Sequence, residues 1–392
     1  MSYIRGCRTT KLVIHDLSEE AWEAVRAAYE GDQIISDRGS IRPCTGCFSC
    51  WSRTPGQCVQ RDGYEYMGAW IHRASEVVVI SRCTCGGFSG FVKNVFDRSL
   101  AYVLPQFEII NDETHHMKRY AEEKPFTFVF YGRDLGPEEK ESACRYVKAV
   151  CTNIRGYVKA VQFREDIPQA EEPPILPVPA ERRAGTVLLN VSMRAESGNS
   201  ARLSRQLGKL LQEDYETVAL KQYLGRMPEL LSRLAGAKTL VFCTPLYVDG
   251  LPAQMIRFLE AAERFSARLP GKIYVLANMG LCESRQLVSL FSSVRLWCRQ
   301  ADAAYGGGLG VSAGELVGPL TDMLPFGFGP TRDIAAGMHR LADAVRQGRE
   351  CGDLYTEPAG FPRALYLAIA NAGWNLQAKE NGLRREDLFR RL

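Results

Sequence analysis

Long apolar runs, blocks of like charge and an apolar leader are all missing from the 392-residue sequence. The amino terminus, from Met1 to Cys7, has no apolar core of the kind found in signal peptides. No run of about 18 apolar residues occurs, so we expect no transmembrane helix. The net charge is only +4 and no block of five like charges occurs, which argues against nucleic acid or a membrane as a partner. The expected location is therefore the cytoplasm.

Histidine is also scarce, with five residues in the chain. None of them lies at a metal-ligand spacing from another, so a histidine-based metal centre is not expected. The adjacent pair His115-His116 predicts a solvated turn.

Cysteine, in contrast, is abundant and unevenly placed. Of the thirteen cysteines, nine lie at or before Cys151, and four of those fall between Cys44 and Cys58. In a reducing compartment such a group indicates metal or redox chemistry rather than disulfides.

The length predicts two or three domains of ordinary globular composition. Short β-branched strands alternate with helical stretches, which predicts parallel βαβ units. The predicted strands are 11–15, 76–81, 126–131, 157–163, 186–190, 217–220, 239–243 and 272–277. The predicted helices are 18–29, 64–73, 91–102, 137–154, 200–212, 228–235, 252–265, 284–299, 334–347 and 364–380. The order strand, loop, helix repeats in the two halves, which favours a duplication over two unrelated domains.

The loop 191–200 lies between a predicted strand and a predicted helix, which is where α/β folds bind phosphate. Backbone N–H groups converge there, and the helix dipole favours an anion. The candidate donors are Ser192, Ser197, Asn199 and Ser200, and Arg194 can offset the phosphate charge. The alternative is a plain helix cap, which Asn199 or Ser200 alone could provide.

Two further loops follow predicted strands of the same half and are expected at the same edge of the sheet. Their candidate ligand-binding residues are Pro245, Leu246, Tyr247 and Val248 in one loop and Asn278, Gly280 and Glu283 in the other. Tyr247 can lie on the face of a flat ring, while loop backbone groups can bond the polar edge of that ring.

These loops resemble the NAD(P)H-dependent FMN reductase and flavodoxin-like oxidoreductase families, over most of residues 184–312. The family motifs resemble G-S-x-R-x-x-S-N-S, P-L-Y and N-x-G. Here they read Ser192-x-Arg194 through Ser200, Pro245-Leu246-Tyr247 and Asn278-Met279-Gly280. Val191 replaces the usual small residue before Ser192, and Gly198 is inserted near Asn199. The resemblance implies a flavodoxin-like fold, FMN bound by these loops, and NAD(P)H as the reductant.

The first half has a cysteine loop in which Cys44, Cys47, Cys50 and Cys58 have the spacing C-x2-C-x2-C-x7-C. Thiolates two residues apart on a tight loop can bind one centre, and a fourth nearby completes a tetrahedral sulfur set. Iron–sulfur flavoproteins of the same superfamily have a similar motif for a 4Fe–4S cluster. We predict such a cluster; structural zinc and unligated thiols that pack the loop are the alternatives.

The first half lacks a phosphate loop of its own. Its first strand leads into Asp16, Glu19 and Glu20, whose carboxylates would repel a phosphate. The two halves are therefore complementary, as if a homodimer had been fused, and an intrachain pseudo-dimer is predicted.

The predicted fold class is α/β, with two tandem flavodoxin-like doubly wound parallel sheets and a helical C-terminal tail. Residues 1–164 are assigned to a degenerate domain with the cysteine loop, and 165–183, with five prolines, to a linker. Residues 184–330 are assigned to the FMN-binding domain and 331–392 to a helical extension. An apolar face in this extension predicts packing; it consists of Leu365, Tyr366, Ile369, Ala372, Gly373 and Leu376.

The predicted function is that of an FMN-dependent oxidoreductase, which takes hydride from NAD(P)H and passes electrons to a small acceptor or to the cluster. The alternative is an electron-transfer iron–sulfur flavoprotein that shuttles electrons between proteins. The expected partner is thus a small-molecule acceptor or a redox protein. The flavin step requires no proton-transfer residue, so no catalytic acid or base is assigned.

Overall fold

The computed structural model describes residues 11–37, 41–179 and 185–392, so part of the predicted linker lies outside the described residues. The strands are β1 (Leu12–His15), β2 (Gln33–Ser36), β3 (Val77–Arg82), β4 (Val103–Ile110), β5 (Glu113–Lys118), β6 (Lys124–Tyr131), β7 (Gly156–Arg164), β8 (Thr186–Asn190), β9 (Tyr215–Ala219), β10 (Thr239–Pro245), β11 (Lys272–Asn278), β12 (Ala304–Val311) and β13 (Asp353–Thr356). The helices are α1 (Glu19–Val25), α2 (Ser49–Ser52), α3 (Met67–Arg73), α4 (Gly90–Arg98), α5 (Pro137–Asn153), α6 (Asn199–Leu211), α7 (Met227–Ala235), α8 (Ala253–Glu263), α9 (Val288–Gln300), α10 (Gly314–Met323), α11 (Arg332–Gln347) and α12 (Arg363–Glu380). Every predicted strand and helix is confirmed, with differences of a few residues at the ends.

The chain divides into two compact units. The first unit comprises Met1–Glu108, His115–Glu171 and Ile369–Leu392, and the second comprises Ile109–Thr114 and Glu172–Ala368. Below, these are called unit 1 and unit 2.

Unit 1 is built on a five-stranded parallel sheet with the order β2-β1-β3-β6-β7. This is the 2-1-3-4-5 strand order of flavodoxin-like folds. The central strand β1 is buried along its whole length, as a strand covered on both faces must be. Helix α1 begins at Ser18, whose hydroxyl oxygen accepts the N–H of Ala21 at 3.2 Å.

Unit 2 has the same order in its first five strands and adds a sixth, giving β9-β8-β10-β11-β12-β13, again all parallel. The core between this sheet and helices α6 and α11 contains Leu188, Leu203, Leu309 and Met338. The predicted fold class is therefore confirmed: two tandem flavodoxin-like doubly wound parallel sheets, followed by a helical region.

Strand β12 was missed because glycine is depleted in strands and this strand contains four glycines. The structure explains them by close packing. A Cβ at Gly308 would lie 2.7 Å from the Phe291 ring, and one at Gly310 would lie 2.7 Å from Leu287. Strand β13 in the tail was also missed, since it is short and lies at the edge of the sheet.

Two local predictions were wrong. His115 and His116 are not in a solvated turn but in β5, where His116 lies 4.6 Å from the Trp51 ring and 4.8 Å from the Phe107 ring. The turn is formed instead by the two residues before β5, which have φ values of 50° and 62°.

The predicted apolar face of α12 is also not buried as a whole. Leu365, Ile369 and Leu376 are 47%, 49% and 58% exposed, whereas Tyr366 and Trp374 are buried. The larger aromatic side chains bury more apolar area and therefore decide which face of the helix packs. No helix in the described part of the chain is both long and apolar enough to span a membrane.

Candidate functional site

The loop after β8 in unit 2 is shaped by its own polar side chains. Asn190, at the end of β8, is fully buried, and its amide oxygen accepts the N–H of Ser192 at 3.1 Å. Its amide nitrogen donates to the carbonyl of Ala195 at 3.2 Å. These two bonds fold the loop back so that it leads directly into α6, whose amino terminus follows at Asn199.

Gly198 is the residue before α6, and a larger residue would not fit there because neighbouring side chains are too close. A Cβ at Gly198 would lie 2.7 Å from Ser192 Oγ and 3.3 Å from Arg194 Cβ. The backbone of Gly198 has an ordinary negative φ, so the requirement is a close approach rather than an unusual backbone conformation. The insertion noted in the sequence thus brings the loop closely around the helix amino terminus.

The predicted phosphate donors of this loop lie together, but with different exposure. Ser192, Asn199 and Ser200 are buried, Arg194 is half-buried and Ser197 is exposed. The Arg194 guanidinium lies 3.3 Å from the Glu315 carboxylate, and Ser197 Oγ donates to the Arg194 carbonyl at 2.9 Å.

Asn199 and Ser200 already have protein partners. Asn199 Oδ1 accepts from the Arg202 guanidinium at 3.0 Å, and α10 packs so closely that a Cβ at Gly318 would clash with this oxygen. Ser200 Oγ accepts from the Asn278 amide at 2.7 Å. Helix α10 was not predicted; the two glycines four residues apart, Gly314 and Gly318, are the signal in the sequence that a helix face is in close contact.

The other two predicted loops meet this one at the same edge of the sheet. The Leu246 N–H donates to the carbonyl of Asn278 at 2.8 Å, and the Asn278 amide also donates to the Thr244 carbonyl at 3.3 Å. Asn278 therefore connects the ends of β10 and β11 with the start of α6. Pro245 and Leu246 are half-buried beside it.

Residues 247–250 form a tight turn after β10. Tyr247 and Gly250 exchange two backbone hydrogen bonds of 3.0 Å, and Val248 and Asp249 between them have φ values of 39° and 60°. A β-branched residue such as Val248 rarely adopts positive φ, and such backbone strain is concentrated at functional sites. Tyr247 and Val248 remain half-buried.

In the loop after β11, space is open beside Gly280, whereas Glu283 is buried and held by hydrogen bonds. Apart from its chain neighbours, no described residue has an atom within 4 Å of a Cβ built at Gly280. The Gly280 carbonyl accepts a hydrogen bond from the Tyr366 hydroxyl. Glu283 is buried, and its carboxylate accepts from the Thr114 N–H at 2.7 Å, from the Thr114 hydroxyl at 3.1 Å and from Arg363 at 3.2 Å.

A cavity of about 320 Å³ lies beside this loop. Its lining includes Cys282, Tyr366 and five charged residues, namely Asp112, Glu283, Arg285, Glu357 and Arg363. Burial raises the pKa of the Cys282 thiol to about 11, and the Glu283 carboxylate also raises this pKa. The sequence predicted only Glu283 of this set, since the other elements come from distant parts of the chain.

Three observations indicate that the residues of unit 2 can accommodate the phosphate and the ring of FMN. Gly198 lets the loop close on the helix amino terminus, and Gly280 leaves room for a ring against its backbone. At the same edge Ser312, which is fully buried, has a side-chain hydroxyl with no hydrogen-bond partner among the described residues. Buried polar groups of this kind are normally satisfied, so an additional partner is expected there.

The cysteine loop of unit 1 is tightly turned. Gly46 and Phe48 both have positive φ, 63° and 57°, and α2 follows immediately. The Phe48 ring stacks on the Trp51 ring at 5.4 Å, and the Trp374 ring meets Trp51 edge-on at 5.3 Å. Trp51 is 1% exposed and its indole N–H is shared between the carbonyls of Leu100 and Val103.

Positive charge lies close to these cysteines. The Arg98 guanidinium bonds both carboxylate oxygens of Asp62, at 2.6 and 2.9 Å, and is within hydrogen-bonding reach of the Cys58 sulfur. The Arg119 guanidinium is buried, donates to four backbone carbonyls and interacts electrostatically with Cys50. Burial lowers the pKa of Arg119 to about 10.

The thiols of the loop influence one another. Burial raises the pKa of Cys44 to about 12, with a further contribution from the Asp97 carboxylate. Burial also raises the pKa of Cys50, and the nearby Cys44 and Cys58 raise it further. At Cys47 burial raises the pKa, but hydrogen bonds from Ser49 and Thr45 outweigh it and leave the pKa below its ordinary value. The described residues nevertheless contain no group of three or more His, Cys, Asp or Glu placed to hold a metal ion.

No protein-family model matches the sequence, and no curated protein matches it. Solved structures do match. The NAD(P)H:quinone oxidoreductase from Methanothermobacter marburgensis is 17% identical, with 43% of this chain and 98% of that chain covered and a TM-score of 0.33. The FMN-dependent NADH-azoreductase from Bacillus anthracis str. Ames Ancestor in complex with FMN is 13% identical, with 43% and 100% covered and a TM-score of 0.32.

Proposed function

We propose that the protein is an FMN-dependent oxidoreductase that takes hydride from NAD(P)H and passes the electrons to a small acceptor. The observation that carries this proposal is the loop between β8 and α6, which closes on the amino terminus of α6 because Gly198 lies against Ser192. A loop of this construction suits a phosphate group.

Backbone N–H groups at the amino terminus of α6, together with the side chains of Ser192, Ser197 and Asn199, would hold the phosphate of FMN. Ser200 would act through Asn278, since its hydroxyl is bonded to that amide. Arg194 would turn from Glu315 to the phosphate. This exchange costs little, because the two side chains are 35% and 48% exposed and such surface ion pairs contribute at most about 1 kcal/mol.

The isoalloxazine ring would lie against the two other loops. Pro245, Leu246, Tyr247 and Val248 supply a half-buried apolar wall, and Gly280 leaves the space that a ring needs beside the backbone. FMN bound there would accept a hydride from NAD(P)H and release electrons singly or in pairs.

The cavity lined by Cys282, Glu283 and Tyr366 is the proposed place for the acceptor. Tyr366 is held in the lining by its hydrogen bond to the Gly280 carbonyl, and Glu283 is held there by its bonds to Thr114 and Arg363. A volume of about 320 Å³ suits a small molecule and is in the range typical of ligand pockets.

As a separate assignment, we propose that Cys44, Cys47, Cys50 and Cys58 bind a 4Fe–4S cluster, which would exchange single electrons. The support is their spacing, the mutual influence of the thiols on their pKa values, and the buried Arg119 as a counter-charge to an anionic cluster.

The first test is anaerobic purification of the full chain, with flavin, iron and zinc counted and the visible spectrum recorded. We expect about one FMN, and rapid bleaching of its absorbance when NADH or NADPH is added. Bleaching only by a reduced ferredoxin would instead favour a protein that shuttles electrons between partners. A chain without flavin would contradict the proposed function.

The cluster is tested by electron paramagnetic resonance of the dithionite-reduced protein. About four irons per chain are expected, with a signal that is lost in Cys47→Ser and retained in Cys144→Ser, a cysteine outside the loop. If the protein contained one zinc and no iron, the loop would be a structural zinc site, and the FMN assignment would not be affected.

A further inference from the structure

The side chain of Gln254 is buried and has no hydrogen-bond partner among the residues that the structure describes. It lies in the first turn of α8 in unit 2 and is only 2% exposed. Within the described part of the chain, neither its amide nitrogen nor its amide oxygen is hydrogen-bonded. A buried polar group without a hydrogen-bond partner lowers the stability of the folded protein by about 1–3 kcal/mol. We therefore expect a bound molecule to provide the partner that the chain does not.

Gln254 lies at the edge of the sheet where the three loops meet. Helix α8 begins at Ala253, three residues after the turn that Tyr247 and Gly250 close. The same loop is joined to the end of β11 by the bond from the Leu246 N–H to the Asn278 carbonyl. The unpartnered amide is therefore at the end of the sheet that is proposed to hold FMN, as is Ser312.

Unit 1 provides an internal comparison at this position. Thr84 and Gly87 also exchange two backbone hydrogen bonds of 3.0 Å around two residues with positive φ, and α4 also begins three residues later, at Gly90. Counting from the turn, Phe91 occupies the place of Gln254. The unit without a phosphate loop thus has an apolar residue there, while the unit with the loop has an amide.

We propose that Gln254 binds the pyrimidine edge of the FMN ring, a role that rests on the proposed function. An amide offers a donor and an acceptor side by side. The flavin edge offers the complementary pair, a ring N–H and ring carbonyls, whereas a phosphate accepts only and would leave the amide oxygen unpaired. Gln254 therefore distinguishes the ring from other phosphorylated molecules, and it would account for both unpartnered atoms.

The test compares Gln254→Leu with the full-length wild type, using the dissociation constant for FMN and the thermal midpoint of the apoprotein. Gln254→Leu is expected to weaken FMN binding by about tenfold to a hundredfold, since one or two hydrogen bonds are lost. It should not lower the midpoint of the apoprotein, because leucine removes a polar group that has no partner there. Gln254→Asn, which keeps the amide on a shorter stem, should bind FMN with intermediate affinity.

Gln206→Leu is the matched control. Gln206 is also a buried glutamine of unit 2, but its amide donates to the Thr321 carbonyl at 3.3 Å. This variant should lower the apoprotein midpoint and leave FMN affinity within about twofold. FMN affinity unchanged in Gln254→Leu, or a lowered apoprotein midpoint, would overturn the role of Gln254 while wild-type FMN binding still supports the proposed function. A wild type that binds no FMN would overturn both.

Discussion

Units 1 and 2 have the same strand order and the same turn after their third strand, yet the loops after their first strands differ in kind. In unit 2 that loop is eight residues of mostly small and polar side chains that close on a helix amino terminus. In unit 1 the Asp16 carboxylate accepts the backbone N–H of Arg82 at 3.0 and 3.2 Å, and His15 stacks on Trp22 at 4.1 Å. A carboxylate and two rings occupy the place where an anion would bind.

The difference teaches that strand order alone does not make a flavin site. Both sheets present strand ends at one edge, but among the described residues only those of unit 2 combine free space, a helix amino terminus and small polar groups there. Unit 1 uses its polar and aromatic residues differently, around the cysteine loop, where Trp51 and Arg119 are fully buried.

The largest effect is expected when the phosphate loop of unit 2 is changed. Arg194→Ala combined with Asn199→Ala should weaken FMN binding by about 3–6 kcal/mol, because each charge-assisted hydrogen bond contributes about 1.5–3 kcal/mol. Quenching of flavin fluorescence on binding measures this. Asp16→Asn, in the corresponding loop of unit 1, should leave FMN affinity unchanged; a comparable loss there would break the distinction between the units.

The half-buried His116 should make the stability of unit 1 depend on pH. Burial lowers the pKa of His116 from 6.5 to about 4. Between these values the unfolded chain binds a proton that the folded unit does not, so the free energy of unfolding falls as the pH drops from 6.5 to 4. At about 1.4 kcal/mol per pKa unit, the loss approaches 3 kcal/mol.

Urea unfolding followed by tryptophan fluorescence at pH 4.5 and pH 7 measures this dependence. His116→Leu should have a smaller difference between the two pH values, whereas His339→Leu, a change on the exposed face of α11, should keep the wild-type difference. Equal pH dependence in His116→Leu and wild type would show that His116 is not the group responsible.

The smallest effect is expected at Gly280. Gly280→Ala should leave the thermal midpoint unchanged, because, apart from the two chain neighbours, no atom of the described residues lies within 4 Å of the added methyl group. It should nevertheless weaken FMN binding about tenfold, or 1.4 kcal/mol, by filling space that the ring would use. Gly271→Ala, which has the same open surroundings in unit 2, should affect neither quantity. If Gly280→Ala bound FMN as tightly as the wild type, the ring would not lie against this loop.

The sequence predicted eight of the strands and the three loops of unit 2, because buried strands and loop glycines have local signatures. It could not predict β12, whose glycines are explained only by the Phe291 and Leu287 side chains against them. Nor could it predict the partners of Glu283, since Thr114 and Arg363 are distant in the chain. The unpartnered state of Gln254 likewise depends on tertiary packing. Local patterns therefore locate the loops, while the contacts that complete the site come from long-range packing.

The most direct test of the account is the number of FMN molecules held by the full chain and by two matched variants. Gly198→Val puts a side chain against Ser192 at the start of α6, and Ser18→Ala changes the equivalent position before α1. After reconstitution and gel filtration, the account predicts about one FMN in the wild type and in Ser18→Ala, and none in folded Gly198→Val. Flavin retained by Gly198→Val, or lost only in Ser18→Ala, would contradict the assignment of FMN to unit 2.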